Sequence, residues 1–121
     1  MKDFRDLKVW ERGYKLTLQI YKIKSVFPRE KMYGLTSQMR RSCASIPTNI
    51  AEGCGRSRDT ELARFLEIAI GSASELEYLL LLSRDLGLID EADFKLLITE
   101  ATEVKKMLIF FFKSLKLIAN S

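Results

Sequence analysis

An all-α fold, an antiparallel bundle of four helices running up, down, up and down, is what this sequence predicts. Apolar residues recur with helical period in four stretches, at about 7–26, 35–54, 58–86 and 90–118. The breaks between them are short, as helices that pack on their chain neighbours require. Only two prolines and six glycines interrupt 121 residues. That length carries one core, so residues 1–121 are read as a single four-helix-bundle domain. Hydrophobic residues at 47% and charged residues at 30% are ordinary for a globular chain.

The first helix is expected to start after Asp6 as N-cap and to stop near 26, before Phe27-Pro28. Val9, Trp10, Gly13, Tyr14, Leu16, Thr17, Ile20, Tyr21 and Ile23 take about half its circumference, more than one contact needs. The other side gathers Lys8, Glu11, Arg12, Lys15, Gln19 and Lys22, four cations against one anion. Such a face is either simply solvated or tracks phosphates, releasing counterions as it binds.

Pro28 to Gly34 reads as a connection, after which Leu35 or Thr36 begins the second helix. Leu35, Met39, Cys43, Ile46, Ile50 and Cys54 make its apolar stripe. Beside them Gln38, Arg41, Ser45, Asn49, Glu52 and Arg56 form a polar one. Pro47 falls inside the helix, removes a backbone donor and leaves the Cys43 carbonyl without its usual partner. A kink is expected, with Ser42, Ser45 and Thr48 as candidates to bond that carbonyl. Gly53 and Gly55 are expected to end the helix through positive φ.

Ser57 or Asp59 should cap the third helix, which closes at Leu86 with Gly87 as the residue beyond its C-cap. Its core side reads Leu62, Phe65, Ala69, Ser72, Ala73, Leu76, Leu79, Leu80, with Glu75 at the margin and in need of a donor. Asp90 should cap the fourth helix, whose first turn is acidic as the dipole favours. Phe94, Leu97, Ile98, Ala101, Val104, Leu108, Phe111, Phe112 and Leu115 form its inner face. Phe110 and Leu117 point elsewhere and, with Leu96 and Met107, form a second apolar strip that invites self-association.

Two readings compete for the polar stripe. In one, Arg41 pairs with Glu75 while Gln38, Ser45, Asn49 and Glu52 join a network across to Ser72 that fixes helix register. In the other, Arg40, Arg41, Arg56 and Arg58 grip RNA phosphates, for which the planar guanidinium fork is suited. Arg40 lies about 100° around the helix from Arg41, so both can hold.

The net charge is +4, but it is unevenly spread. Residues 1–58 carry 13 Lys and Arg against 5 Asp and Glu, a net of +8, and residues 59–121 carry 7 against 11, a net of −4. A basic half suits nucleic acid, or the acidic half of a neighbouring subunit. Without histidine, Ser-His-Asp and Cys-His nucleophiles and Glu-x-x-His di-iron sites are excluded. No Walker loop is present, and Glu52 with Glu75 is better read as ion-paired than as a Mg²⁺ site. No enzyme activity, cofactor or metal is expected. Cys43 and Cys54, about 16 Å apart along one helix, cannot pair and read as buried thiols. The longest apolar run, Met107 to Phe112, cannot span a bilayer, and a cytoplasmic protein is expected.

Three segments resemble a known family: FRDLKVW at 4–10, YGLTSQMRRSCASIPTNIAEGCGRS at 33–57 and FLEIAIGSASELE at 65–77. They resemble the four-helix-bundle proteins encoded in intervening sequences of bacterial 23S ribosomal RNA genes. That family is itself similar to the accessory variability proteins of diversity-generating retroelements. The resemblance covers nearly the whole chain and implies a bacterial homopentamer, with a reverse transcriptase as a candidate protein partner. Taken together, the expectation is a non-enzymatic oligomer that binds nucleic acid, RNA more than DNA, through Lys8, Arg12, Lys15, Lys22, Arg40, Arg56 and Arg58. The alternative is a scaffold that associates only with itself and with protein partners.

Overall fold

A computed structural model describes residues 2–23 and 32–120, with the side chains of 32, 33 and 118–120 set aside. The end predicted for the first helix at 26, and most of the connection from Pro28 to Gly34, lie outside the described residues. Four helices make the fold: α1 (Lys8–Lys22), α2 (Ser37–Cys54), α3 (Asp59–Asp85) and α4 (Glu91–Asn120). A 3-10 turn, Phe4–Asp6, precedes α1, and a π-helical turn, Met32–Thr36, runs directly into α2. Each helix packs on the next and α4 closes back on α1. Contacts that run in opposite directions, such as Tyr21 with Arg40 and Thr17 with Cys43, make neighbouring helices antiparallel.

The core follows the predicted stripes. Leu16 and Ile20 of α1, Met39, Cys43, Ile46 and Ile50 of α2, Leu66, Leu76 and Leu80 of α3, and Leu97, Val104 and Leu108 of α4 form one buried cluster. Tyr14 and Tyr21, assigned by sequence to the inner side of the first helix, are exposed. α1 is served by two neighbours only, so its broad apolar arc outruns the surface available to cover it.

The helix ends correct several expectations. Asp3, not Asp6, is the first cap: its carboxylate accepts from the Arg5 backbone N–H at 3.0 Å and holds the Arg5 guanidinium, closing the 3-10 turn. α1 then starts from Leu7 and α3 from extended Arg58, neither with a side-chain cap, so Asp6, Ser57 and Asp59 do not cap. Asp59 and Glu61 instead lie in the first turn of α3, where the dipole favours acids. Thr36 is itself helical (φ −62°, ψ −44°), because the π turn continues into α2 and leaves no free start to cap. Asp90 does cap, accepting from Asp93 N–H at 2.7 Å. Gly87 takes φ 70°, and the pair of bonds Gly87 N–H to Arg84 and Leu88 N–H to Ser83 completes a Schellman end.

Gly53 and Gly55 do not adopt positive φ. Gly53 sits inside α2, and a Cβ there would fall 2.8 Å from Leu62 Cδ1 and 2.9 Å from Phe65 Cβ. Its role is to let α3 approach.

Pro47 is accommodated from across the interface. The freed Cys43 carbonyl shares the single proton of the α1 Thr17 hydroxyl, at 3.2 Å, with the Gly13 carbonyl at 2.8 Å. Neither Ser42, Ser45 nor Thr48 takes that role; Ser42 donates to Met39 instead. Gly13 faces the same place: a Cβ there would lie 3.1 Å from Ile46 Cγ2 and 3.7 Å from Pro47 Cδ. Glycine and threonine four residues apart therefore receive the proline of α2 and its orphaned carbonyl. Thr17→Val is expected to cost about 1–3 kcal/mol in urea unfolding, because the shape is kept and the carbonyl loses its donor.

Candidate functional site

Between α2 and α3 the structure assembles a short neutral chain of hydrogen bonds. Asn49 Nδ2 donates to Ser45 Oγ at 2.8 Å, Ser45 and Ser72 meet at 2.8 Å, and Ser72 donates to the Ile68 carbonyl at 3.2 Å. If Ser72 spends its proton on Ile68, Ser45 must donate to Ser72, and the chain has one direction. Arg41 and Glu75 are not part of it. Both are exposed, with no ion pair between them, because solvated positions on the outer surface spare each charge the cost of burial. Gln38 is exposed too and makes no side-chain bond among the described residues. Glu52 pairs within its own helix with Arg56 at 3.3 Å. A double-mutant cycle on Ser45→Ala and Ser72→Ala should show a coupling of about 0.5–1 kcal/mol by thermal unfolding.

The cations of the first two helices divide into two groups. Arg12 crosses to α4, where Nη2 meets both oxygens of Glu100 at 3.1 and 3.0 Å while Nη1 reaches Met107 Sδ at 3.6 Å. Lys15 is held by Glu11 at 2.8 Å, and Lys15 in turn lowers the Glu11 pKa. Arg56 lies between Glu52 and Glu61, at 3.3 and 3.9 Å, and packs on the Phe65 ring. Those three are partly neutralised within the chain. Lys8, Lys22, Arg41 and Arg58 are exposed and have no ion pair among the described residues. Glu100 was not legible as a partner, since nothing in sequence relates position 12 to position 100.

Arg40 is half-buried and differently placed. Its guanidinium stacks on the Tyr21 ring at 4.8 Å and Nη2 donates to the Tyr21 carbonyl at 3.3 Å. Its Nε is buried without a partner among the described residues, as is the nearby Thr36 hydroxyl. Both residues line a groove of about 850 Å³ on the outside of α2, with Tyr21, Ser37, Arg41, Ala44, Ser45 and Thr48. A shallower depression continues along the same face past Ala51 to Arg56. Arg58 stands with Lys2, Arg56 and Ser57 around a pocket of about 130 Å³ at the α2–α3 turn.

The predicted self-association strip is largely open. Phe110 is 77% exposed, Leu117 72% and Leu96 55%. Met107 is half-buried under Arg12 and lines a groove of about 510 Å³ with Leu7, Lys8, Val9, Lys106 and Phe110. Lys106 is a neighbour of Lys8 that the sequence did not reveal.

Burial pushes the Cys43 thiol up to about 11, against a smaller opposing effect of the Thr17 hydroxyl, and desolvation also raises Cys54. Neither is a reactive thiolate near neutrality. A thiol whose folded pKa is raised favours folding while protonated. That contribution should be intact below pH 9 and fade as pH rises toward 11. Among the described residues no group of three or more His, Cys, Asp or Glu could hold a metal ion, and no helix is long and apolar enough to cross a membrane.

Comparison with known proteins agrees with this architecture. A crystal structure of a protein of unknown function from the S23 ribosomal protein family of Bacteroides thetaiotaomicron VPI-5482 superposes with a TM-score of 0.81 at 26% identity, covering 87% of this chain and 98% of that one. No curated protein matches the chain. The model of the 23S rRNA-intervening sequence protein family matches residues 5–110, which takes in all of α1, α2 and α3, and the chain belongs to that family.

Proposed function

We propose that the protein is a non-enzymatic, oligomeric RNA-binding bundle of the cytoplasm, in which the cations left without acids on α1 and α2 hold phosphates. The observation that carries this reading is the groove on α2. Arg40 and Arg41 stand side by side there with no carboxylate partner among the described residues, although Arg12, Lys15 and Arg56 all have one. Lys8, Lys22 and Arg58 add exposed charge on the same two helices and their following turn. The name of the family is consistent with RNA as the polyanion. Arg12 and Lys15, candidates by sequence, contribute less to this surface in the proposed reading, because Glu100 and Glu11 offset their charge. Arg12→Ala should cost about 0.5–1 kcal/mol of stability with little change in RNA affinity.

Self-association is proposed for the outward faces of α3 and α4. The open face of α4 carries Phe110 and Leu117 beside the exposed Lys106 and Lys113, while α3 exposes Ile68, Tyr78 and Leu81 beside Glu67, Glu75 and Asp85. A lysine-edged apolar face on one subunit suits an acid-edged one on the next. Contacts between two different faces build a ring where the rotation closes, and the family resemblance suggests five subunits. Phe110→Asp with Leu117→Asp should reduce the mass seen by light scattering to that of a monomer. These same faces favour the second reading, a scaffold that binds protein only, with a reverse transcriptase among the candidate partners.

Filter binding of a structured RNA at two salt concentrations separates the readings. Affinity that falls steeply between about 50 and 200 mM salt supports phosphate binding. Absent or salt-insensitive binding overturns it and leaves the scaffold.

A further inference from the structure

We infer that the groove between Tyr21 and α2 is a nucleotide site, taking one phosphate on Arg40 and Arg41 and one base against Tyr21 and Ala44. The inference rests on the RNA-binding reading of this face and sharpens it from general charge attraction to a shaped pocket.

Three observations carry it. The first is the state of Arg40. Arg5, Arg56 and Arg84 also pack on aromatic rings, and each has a carboxylate: Asp3 at 3.0 Å, Glu52 at 3.3 Å and Asp85 at 3.0 Å; Arg64, over the Phe65 ring at 5.9 Å, has none among the described residues but is exposed, whereas Arg40 is half-buried. Arg40 packs on Tyr21 with none among the described residues, and its fork has one placed bond, to the Tyr21 carbonyl. Tyr21 thus fixes the guanidinium before any ligand arrives, and donors held in advance bind more tightly than mobile ones.

The second is the pair of unmet groups. Arg40 Nε and Thr36 Oγ1 are both buried and both without a partner among the described residues, on residues lining one groove. A buried donor left unmade costs about 1–3 kcal/mol, so a small side-chain shift that opens the N–H and the hydroxyl to phosphate oxygens is favoured once the anion sits on the guanidinium. Arg41, exposed and next in sequence, supplies the second positive charge.

The third is size. A groove of about 850 Å³ is far larger than a phosphate needs and lies within the range of small-molecule sites. Ala44 keeps the helix surface low beside the arginines, and Tyr21, exposed at the rim, offers the ring face that Arg40 does not cover. Base stacking on such rings tolerates any base. The predicted ligand is therefore an unpaired nucleotide within an otherwise structured RNA, recognised without sequence preference.

The test uses the full chain and follows the arginine Nε–Hε resonances and the Tyr21 ring protons by NMR. AMP, inorganic phosphate and adenosine are added separately. AMP should shift Arg40 Nε and Tyr21 saturably, phosphate should move Arg40 alone and more weakly, and adenosine should do little. Arg40→Gln should lower AMP affinity about tenfold while the protein stays folded, with at most a small fall in melting temperature from the lost Tyr21 contacts. AMP that leaves both groups unmoved, or moves Arg58 and Arg64 as much as Arg40, overturns the inference. Competition by a short unpaired RNA identifies the source. Displacement of AMP assigns the groove to nucleotides of RNA; failure to displace it keeps the nucleotide site and overturns its assignment to RNA. RNA that binds wild type and Arg40→Gln equally, in a protein that ignores AMP, removes the groove and leaves the broader proposal.

Discussion

Gly53→Ala is expected to destabilise the protein by about 1–3 kcal/mol, even though alanine is intrinsically the better helix residue by about 1 kcal/mol. The new methyl would lie 2.9 Å from Phe65 Cβ and 3.4 Å from Leu62 Cα, atoms that no rotamer change can move. Only a shift of α3 away from α2 would relieve the overlap, and the seam between those helices holds Ile46, Ile50, Leu62 and Leu66. Gly71→Ala provides the contrast, because a Cβ there meets nothing within 4 Å and the position is exposed within α3. It should gain about 0.5–1 kcal/mol from propensity alone. Two glycine-to-alanine changes in helix interiors should therefore move the urea midpoint in opposite directions. Equal signs would mean that the close approach at Gly53 is not real.

Reversing Lys8, Lys22, Arg41 and Arg58 together to glutamate should weaken RNA binding at least about a hundredfold at moderate salt and flatten its salt dependence, roughly one unit of slope for each phosphate no longer neutralised. Those four have no ion pair among the described residues, so circular dichroism should show the helix content of the wild type. The matching control reverses Lys95 and Lys113 on α4, which are also exposed. Control affinity should stay within a few-fold of wild type. Retained binding in the fourfold variant would place the RNA elsewhere or remove it.

How far the sequence could be read depended on whether the relevant contacts were periodic. Four helices and their buried stripes follow from spacing alone, and the ends at Gly87 and Asp90 follow from local chemistry that Gly and Asp supply within one turn. Pro47 announced an orphaned carbonyl, but its partner, Thr17, sits on another helix and could not be derived from neighbours of Cys43. Gly53 carries the same lesson, since a glycine near a helix end looks like a terminator whether it supplies a backbone conformation or room for a neighbour. The stripe from Gln38 to Arg56 was visible as polar. Its division into a neutral inner chain at Ser45, Asn49 and Ser72 and charged groups outside needed the interhelical geometry. Tyr21 joined Thr36 and Arg40 only in three dimensions, because a segment of sequence separates α1 from α2.

Amine-reactivity footprinting with and without saturating structured RNA is the most direct measurement of where the polyanion sits. Lys8 and Lys22 are expected to lose reactivity when RNA is added, while Lys95 and Lys113, and Lys105 held by Glu77 at 2.9 Å, keep theirs. Protection confined to the α4 lysines, or no RNA-dependent change at Lys8 and Lys22, would contradict phosphate binding by α1 and α2.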